Sequence, residues 1–132
     1  MRPVPESNSP LSNEKTDDLM WRVCKVAELF RVKDTEVPGQ LVSVFCYIAS
    51  HNPCNLQAIS DALGLSHNST SRNTDWLSSH HRLGKPGMGL VVKYTDPLNL
   101  RRRVVRLTPK GEKMVQTIKE ILYGANETEL VG

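Results

Sequence analysis

The chain has 132 residues, 39% of them hydrophobic and 23% charged, with a net charge of +3. That fits one compact domain with short tails and argues against two full domains. A chain this long buries about two-thirds of the surface it exposes when unfolded, so no disulfide or metal staple is needed to hold a core. No stretch approaches the roughly 20 consecutive apolar residues of a membrane span, and the opening MRPVPESNSPLSNEK lacks the apolar run of a signal peptide. No membrane partner is therefore expected, and the expected compartment is the cytoplasm.

The charge is unevenly distributed. Residues 82 to 113 hold nine basic side chains against two acidic ones, and every other stretch is close to neutral or slightly acidic. An anionic partner would meet one local basic surface. The alternative is a solvated lysine-rich face, but arginine predominates: Arg101, Arg102 and Arg103 are consecutive and Arg106 follows, which favours phosphate contact.

Residues 1 to 15 are rich in Pro, Ser and Asn, and read as a flexible arm. From Thr16, the residues Leu19, Met20, Val23, Ala27 and Phe30 recur at helical steps, and Asp17 and Asp18 suit a first turn, so the pattern predicts a helix over 16–33. Trp21, Cys24, Val26, Leu29 and Val32 widen its apolar surface. Such a helix packs on two sides, against either a second subunit or more of its own chain. A second helix starts near Pro38 and carries Leu41, Val42, Val44, Phe45, Ile48 and Ala49. The turn His51-Asn52-Pro53 stops it. Asn55 then caps a short helix ended by Gly64, and Ser66 caps another reading SHNSTSRNTDWLSSHH. Successive short helices over 38–81 make a helix-turn-helix.

The period next becomes extended. After GKPGMG (84–89), residues 90–95 and 103–107 are β-formers around the turn Asp96-Pro97-Leu98-Asn99, giving a hairpin over 90–107. Thr108 caps a last helix over 109–123 with Pro109 at its start, Met114, Val115, Ile118, Ile121 and Leu122 on its apolar face, and Gly124 at its end. Residues 125–132 form a polar tail. The expected fold class is mainly α with a small β-hairpin (α+β).

Catalysis finds little support. His51, His67, His80 and His81 with Cys24, Cys46 and Cys54 make no metal-ligand spacing, so neither a metal nor any other cofactor is expected. Cys24 and Cys46 lie in apolar helical patterns and read as inert core thiols, whereas Cys54 beside Pro53 reads as the more exposed one. GKPGMG lacks the lysine-serine ending of a phosphate loop and precedes a strand, so a flexible loop is expected. No carboxylate pair or nucleophile triad stands out, and the expectation is a protein that is not an enzyme.

The helix after Ser66 is informative. It exposes His67, Asn68, Ser69, Ser71 and Arg72, short hydrogen-bonding side chains plus one arginine, which can approach phosphates and base edges in a major groove. The alternative is a weakly helical Ser/Asn-rich surface segment. Its position after a capped short helix and before a basic hairpin favours nucleic acid.

Two segments resemble a known family. LGLSHNSTSRNTDWL, from Leu63 to Leu77, is similar to the second and third helices of MarR-type winged helix-turn-helix transcription regulators, and DPLNLRRRVVRLTPKGEKM, from Asp96 to Met114, is similar to that family's wing and the helix after it. Ser71, Arg72 and Asp75 fall on the family's Ser, Arg and Asp. Thr70, Asn73 and Thr74 fall where aliphatic residues usually pack, so this recognition helix is expected to be less firmly anchored. Between Leu77 and the first wing strand the chain is several residues longer than the family's pattern.

The resemblance implies a winged helix-turn-helix with flanking N- and C-terminal helices, 16–33 and 109–123, that dimerise. It implies sequence-specific binding of double-stranded DNA by a homodimeric transcription regulator, a repressor occluding a promoter. In that reading Lys93, Arg101, Arg102 and Arg103 contact phosphates or enter the minor groove, while His67, Asn68, Ser69, Ser71 and Arg72 face the major groove. The rival is a winged-helix protein–protein interaction module, a co-regulator or an antagonist of a host factor. A third reading makes it a repressor answering to redox chemistry or to a small-molecule effector.

Overall fold

The computed structural model describes residues 17–34, 37–79, 84 and 86–124; the expected arm, His80, His81 and the polar tail lie outside them. Five helices and three strands follow in the order α1 (Asp18–Arg31), α2 (Gly39–Ser50), β1 (Cys54–Asn55), α3 (Leu56–Leu63), α4 (His67–Leu77), β2 (Val91–Asp96), β3 (Asn99–Leu107) and α5 (Pro109–Leu122).

The helix boundaries are set by short polar side chains. Asp17 accepts from the Met20 N–H, Asn55 from Ala58, Ser66 from Ser69 and Thr108 from Gly111, each filling one of the open donors of a first helical turn. Gly64 ends α3 at φ 66°, a left-handed conformation that glycine adopts without a Cβ clash.

The core is built on α2. Leu41, Val44, Phe45 and Ile48 recur on one face and are fully buried, with Phe30 of α1 set edge-on to Phe45 at 5.4 Å between ring centroids. Ile59 of α3, Leu77 of α4 and Leu90, Val91, Val105 and Leu107 of the sheet region complete it.

The sheet is antiparallel in the order β1–β3–β2. Its third strand, β1, was not foreseen: Cys54 pairs with Val105 and Asn55 with Val104, and the Asn52 side-chain oxygen accepts from the Leu107 N–H at 2.9 Å. This places α3 directly beside the wing. The second wing strand also begins earlier than the expected Arg103, at Asn99, so Leu100, Arg101 and Arg102 belong to β3 as well.

GKPGMG does not behave as the free loop expected of it. From Gly87 onward it runs along the end of α4: Met88 N–H donates to the Trp76 carbonyl at 2.9 Å, Gly89 to Ser78 at 3.1 Å and Leu90 to Leu77 at 2.8 Å. These bonds satisfy carbonyls that a helix C-terminus leaves open.

The cysteine expectations reverse. Cys24 and Cys46 are exposed, because they lie on faces of α1 and α2 turned from the core, while Cys54 is half-buried in β1. Burial pushes the Cys54 thiol up to about 11. No helix among the described residues is long and apolar enough to cross a membrane.

α1 and α5 pack together, with Arg22 donating to the Leu122 carbonyl at 3.2 Å. Phe30 is the buried residue of α1; Leu19, Met20, Trp21 and Val23 are exposed, as are Leu122 and Tyr123 at the end of α5. Much of the expected core stripe of the first helix (Leu19, Met20, Val23), and Trp21 and Val32 of its wider apolar side, therefore have no cover among the described residues.

Candidate nucleic-acid interface

The residues expected to face a groove lie on α4. His67, Asn68 and Arg72 are exposed, and Ser69 and Ser71 are partly so. Ser66, Ser69 and Arg72 form a short chain of contacts along the first turns: Ser66 Oγ donates to Ser69 Oγ at 3.1 Å, and Arg72 Nη2 donates to the same oxygen at 3.3 Å. The guanidinium is thus aimed along the N-terminal half of α4 while still open to solvent.

The buried side of α4 corrects the expectation of weak anchoring. Thr70 and Thr74 are fully buried and Asn73 is 4% exposed. The Thr70 hydroxyl is 2.7 Å from the Ser60 hydroxyl of α3, Asn73 Nδ2 donates to Gln40 Oε1 of α2 at 3.0 Å and to the Ser69 carbonyl at 2.9 Å, and Thr74 Oγ1 donates to the Thr70 carbonyl at 2.9 Å. Hydrogen bonds to both neighbouring helices hold α4 where aliphatic packing would otherwise do so. A buried polar side chain costs free energy only when its partner is missing, and here the partners are present.

The wing arginines meet α4 across a groove. Arg101, Arg102 and Arg103 of β3 line it together with His67 of α4 and Gln57, Ala58 and Asp61 of α3, so three arginines face one carboxylate there; its volume is about 480 Å³. Among the described residues, the wing arginines have one carboxylate within 4.0 Å, Asp96 Oδ2 at 3.9 Å from Arg102. Their charge is largely uncompensated. A cationic strand and the exposed end of α4 therefore share one concave face, suited to a polyanion.

Lys93 takes a different place from the one expected. Its side chain is 9% exposed and its ammonium donates to Asp75 Oδ1 of α4 at 2.7 Å, with the Ser71 carbonyl 3.5 Å away. The charge is spent inside the protein, tying β2 to α4, because the inward face of β2 points it at the helix rather than at solvent. Arg106 also turns aside, lying over the Tyr94 ring at 5.9 Å. Gln57, Ala58 and Asn99 were missed as groove residues. The Asn55 cap could have signalled the first two, since it fixes where α3 begins.

A second, more apolar groove of about 440 Å³ lies between α2 and α5, lined by Phe45, Cys46, Ala49, Ser50, Val115, Ile118 and Lys119. It shares no lining residue with the first groove.

No protein-family model matches the chain, and no curated protein matches it in sequence. Solved structures do. MepR of S. aureus in complex with DNA superposes with a TM-score of 0.62 at 19% identity, covering 86% of this chain and 83% of that one. Reduced AbfR bound to DNA gives 0.56 at 21% identity over 86% and 83%. A mutant of E. coli MarR complexed with operator DNA gives 0.53 at 16% identity over 85% and 82%. The chain has the winged helix-turn-helix fold of these proteins, with α3 and α4 as the helix-turn-helix and β2 and β3 as the wing.

Proposed function

We propose that the protein is a transcription regulator that binds double-stranded DNA sequence-specifically as a homodimer, in the cytoplasm, and represses by occluding a promoter. It is a binding protein rather than an enzyme. The observation that carries this reading is the shared groove: Arg101, Arg102 and Arg103, with Asp96 the carboxylate within 4.0 Å among the described residues, line it together with His67 at the exposed N-terminal end of α4. His67, Asn68, Ser69, Ser71 and Arg72 enter the major groove, and the three arginines contact phosphates or the adjoining minor groove. Lys93 is withdrawn from the contact set and serves to hold the wing against α4. Similarity to proteins solved with DNA supports the same reading.

The dimer reading draws on the apolar surface of α1 and α5, where Leu19, Met20, Trp21, Val23, Leu122 and Tyr123 are left exposed by the described residues. A two-fold axis through that surface would set two recognition helices about 34 Å apart, one turn of DNA. The groove between α2 and α5 is the candidate place for a small-molecule effector. The rival reading, a protein-interaction module, has three motives, a polar and poorly packed recognition helix, a low net charge and short dimerisation helices; the Thr70 and Asn73 hydrogen bonds weaken the first of them.

Affinity for random duplex DNA measured across a salt series tests the proposal. Wild-type protein should bind with a steep salt dependence, and replacing Arg101 and Arg102 by alanine should lower affinity for all sequences and flatten the slope by about 2, one unit per lost phosphate contact. An unchanged slope removes the wing from the interface. Absence of salt-sensitive binding by the wild type overturns the DNA reading altogether.

A further inference from the structure

The end of the wing carries two leucines where turns ordinarily take glycine or polar residues. Leu98 is 95% exposed and Leu100 77% exposed. The turn that presents them is braced on both sides: Asp96 Oδ1 accepts from the Leu98 N–H at 2.8 Å, and Asn99 Oδ1 accepts from the Arg101 N–H at 3.2 Å. A single leucine on a surface is ordinary. Two within three residues, held in water at the end of a hairpin and followed at once by Arg101, Arg102 and Arg103, are a feature of the wing's working end.

We propose that Leu98, with Leu100 beside it, is an apolar wedge for the minor groove of duplex DNA and sets a sequence preference at the steps flanking those read by α4. The proposal rests on the DNA-binding reading above and goes beyond it by naming what the wing discriminates. Charge complementarity selects the occupant: the leucines are followed by three arginines, and Asp96, the carboxylate within 4.0 Å of these among the described residues, has one oxygen bound to the Leu98 N–H and the other 3.9 Å from Arg102. Shape selects the groove. Paired strands lie about 4.8 Å apart before side chains are added, so a minor groove roughly 6 Å wide admits the tip of the wing and not its body.

The chemistry of discrimination follows from leucine's lack of hydrogen-bonding groups. Against A·T pairs it covers a floor that carries acceptors only. Against G·C it strips water from the guanine 2-amino group and offers no acceptor in return. Where the side chain enters between base pairs, pyrimidine–purine steps unstack most easily and are preferred.

The test presents the full chain and its Leu98→Ala variant with a random-sequence duplex library at about 50 mM salt, where phosphate contacts are strong, and sequences the retained fraction. Because Leu98 is exposed, the variant is expected to fold as the parent does. Wild type should enrich A·T pairs and TA or CA steps on both flanks of a core motif. Leu98→Ala should keep the core, lose the flank preference, and bind the wild-type-selected duplex about tenfold less tightly, whereas Leu98→Met should retain the preference. Inosine in place of guanine at the flank, which deletes the 2-amino group, should restore wild-type binding. Equal flank preference in wild type and Leu98→Ala overturns the wedge while leaving the DNA-binding reading intact. Retention of no duplex by the wild type overturns both.

Discussion

Lys93 of β2 and Asp75 of α4 form an ion pair of 2.7 Å that joins the wing to the recognition helix. The lysine side chain is 9% exposed and the aspartate 26%, so the pair is shielded from solvent on one side and open on the other. It fixes the relative position of the two elements that line the cationic groove. Removing Lys93 takes a close cation from the partly buried Asp75, a loss that for a fully buried pair costs 3–5 kcal/mol and, with a quarter of Asp75 exposed, about 1–2 kcal/mol.

Lys93→Met should therefore lower the stability measured by urea denaturation by about that amount, and Lys93→Met with Asp75→Leu should recover part of the loss. DNA affinity should fall in the single variant without a change in salt slope, because no phosphate contact is lost. A reduced slope would return Lys93 to the phosphate contacts.

The hydroxyl pair between α3 and α4 makes a sharper prediction. Ser60 is 6% exposed and Thr70 fully buried, and their oxygens lie 2.7 Å apart. Thr70→Val keeps the shape of the side chain but strands the Ser60 hydroxyl, at a cost of about 1–2 kcal/mol. Ser60→Ala in the Thr70→Val background should restore most of it, since neither side then holds an unpaired polar group. If the double variant is less stable than both singles, the hydroxyls are packing rather than pairing.

The limits of the sequence show in the same residues. α3 and α4 were legible because their signals are local: Asn55, Gly64 and Ser66 act on amides within three or four positions. β1 was not, because two residues become a strand only through the free edge of β3, some fifty positions away. Thr70, Asn73 and Thr74 read as poor anchors because composition hides a partner such as Ser60, ten residues back on another helix, or Gln40, thirty-three residues back. Lys93 and the wing arginines looked alike as charges. Position along the hairpin separates them: Lys93 stands opposite buried Val105 and reaches Asp75 of α4, whereas Arg101 to Arg103 lie farther out on β3, where the strand is exposed. The exposed face of α4, by contrast, was readable from side-chain type alone.

Cys54 gives a pH dependence with a definite sign. Burial raises its thiol from the ordinary value of about 9 to about 11, so the folded protein holds this proton over a range where the unfolded chain releases it. The folded state then binds more protons than the unfolded one, and the stability attached to this group is lost as pH rises from about 9 to about 11. At pH 8 about one Cys54 in a thousand is a thiolate. Alkylation of the native protein, followed by mass spectrometry, should leave Cys54 largely unmodified, while in denaturant it reacts fully. Rapid native labelling of Cys54 would reopen a redox role for it.

Two glycines mark close approaches that hold the wing, α4 and α5 together. A Cβ on Gly87 would overlap the Ser78 carbonyl oxygen, and one on Gly111 would overlap the Leu90 carbonyl oxygen. The latter oxygen also accepts from the Thr108 N–H at 3.0 Å, while the Leu90 N–H donates to the Leu77 carbonyl at 2.8 Å, so Leu90 bridges the end of α4 and the start of α5. Backbone cannot yield as a flexible side chain does. Gly87→Ala and Gly111→Ala should each cost about 3 kcal/mol, the upper end for overpacking. Gly39 is the control: it opens α2 with nothing within 4 Å of a Cβ, and Gly39→Ala should stabilise by about 0.5 kcal/mol through reduced unfolded-state entropy. Opposite signs in thermal denaturation would establish the close approaches; comparable losses at Gly39 and Gly111 would place the cost in the helix starts instead.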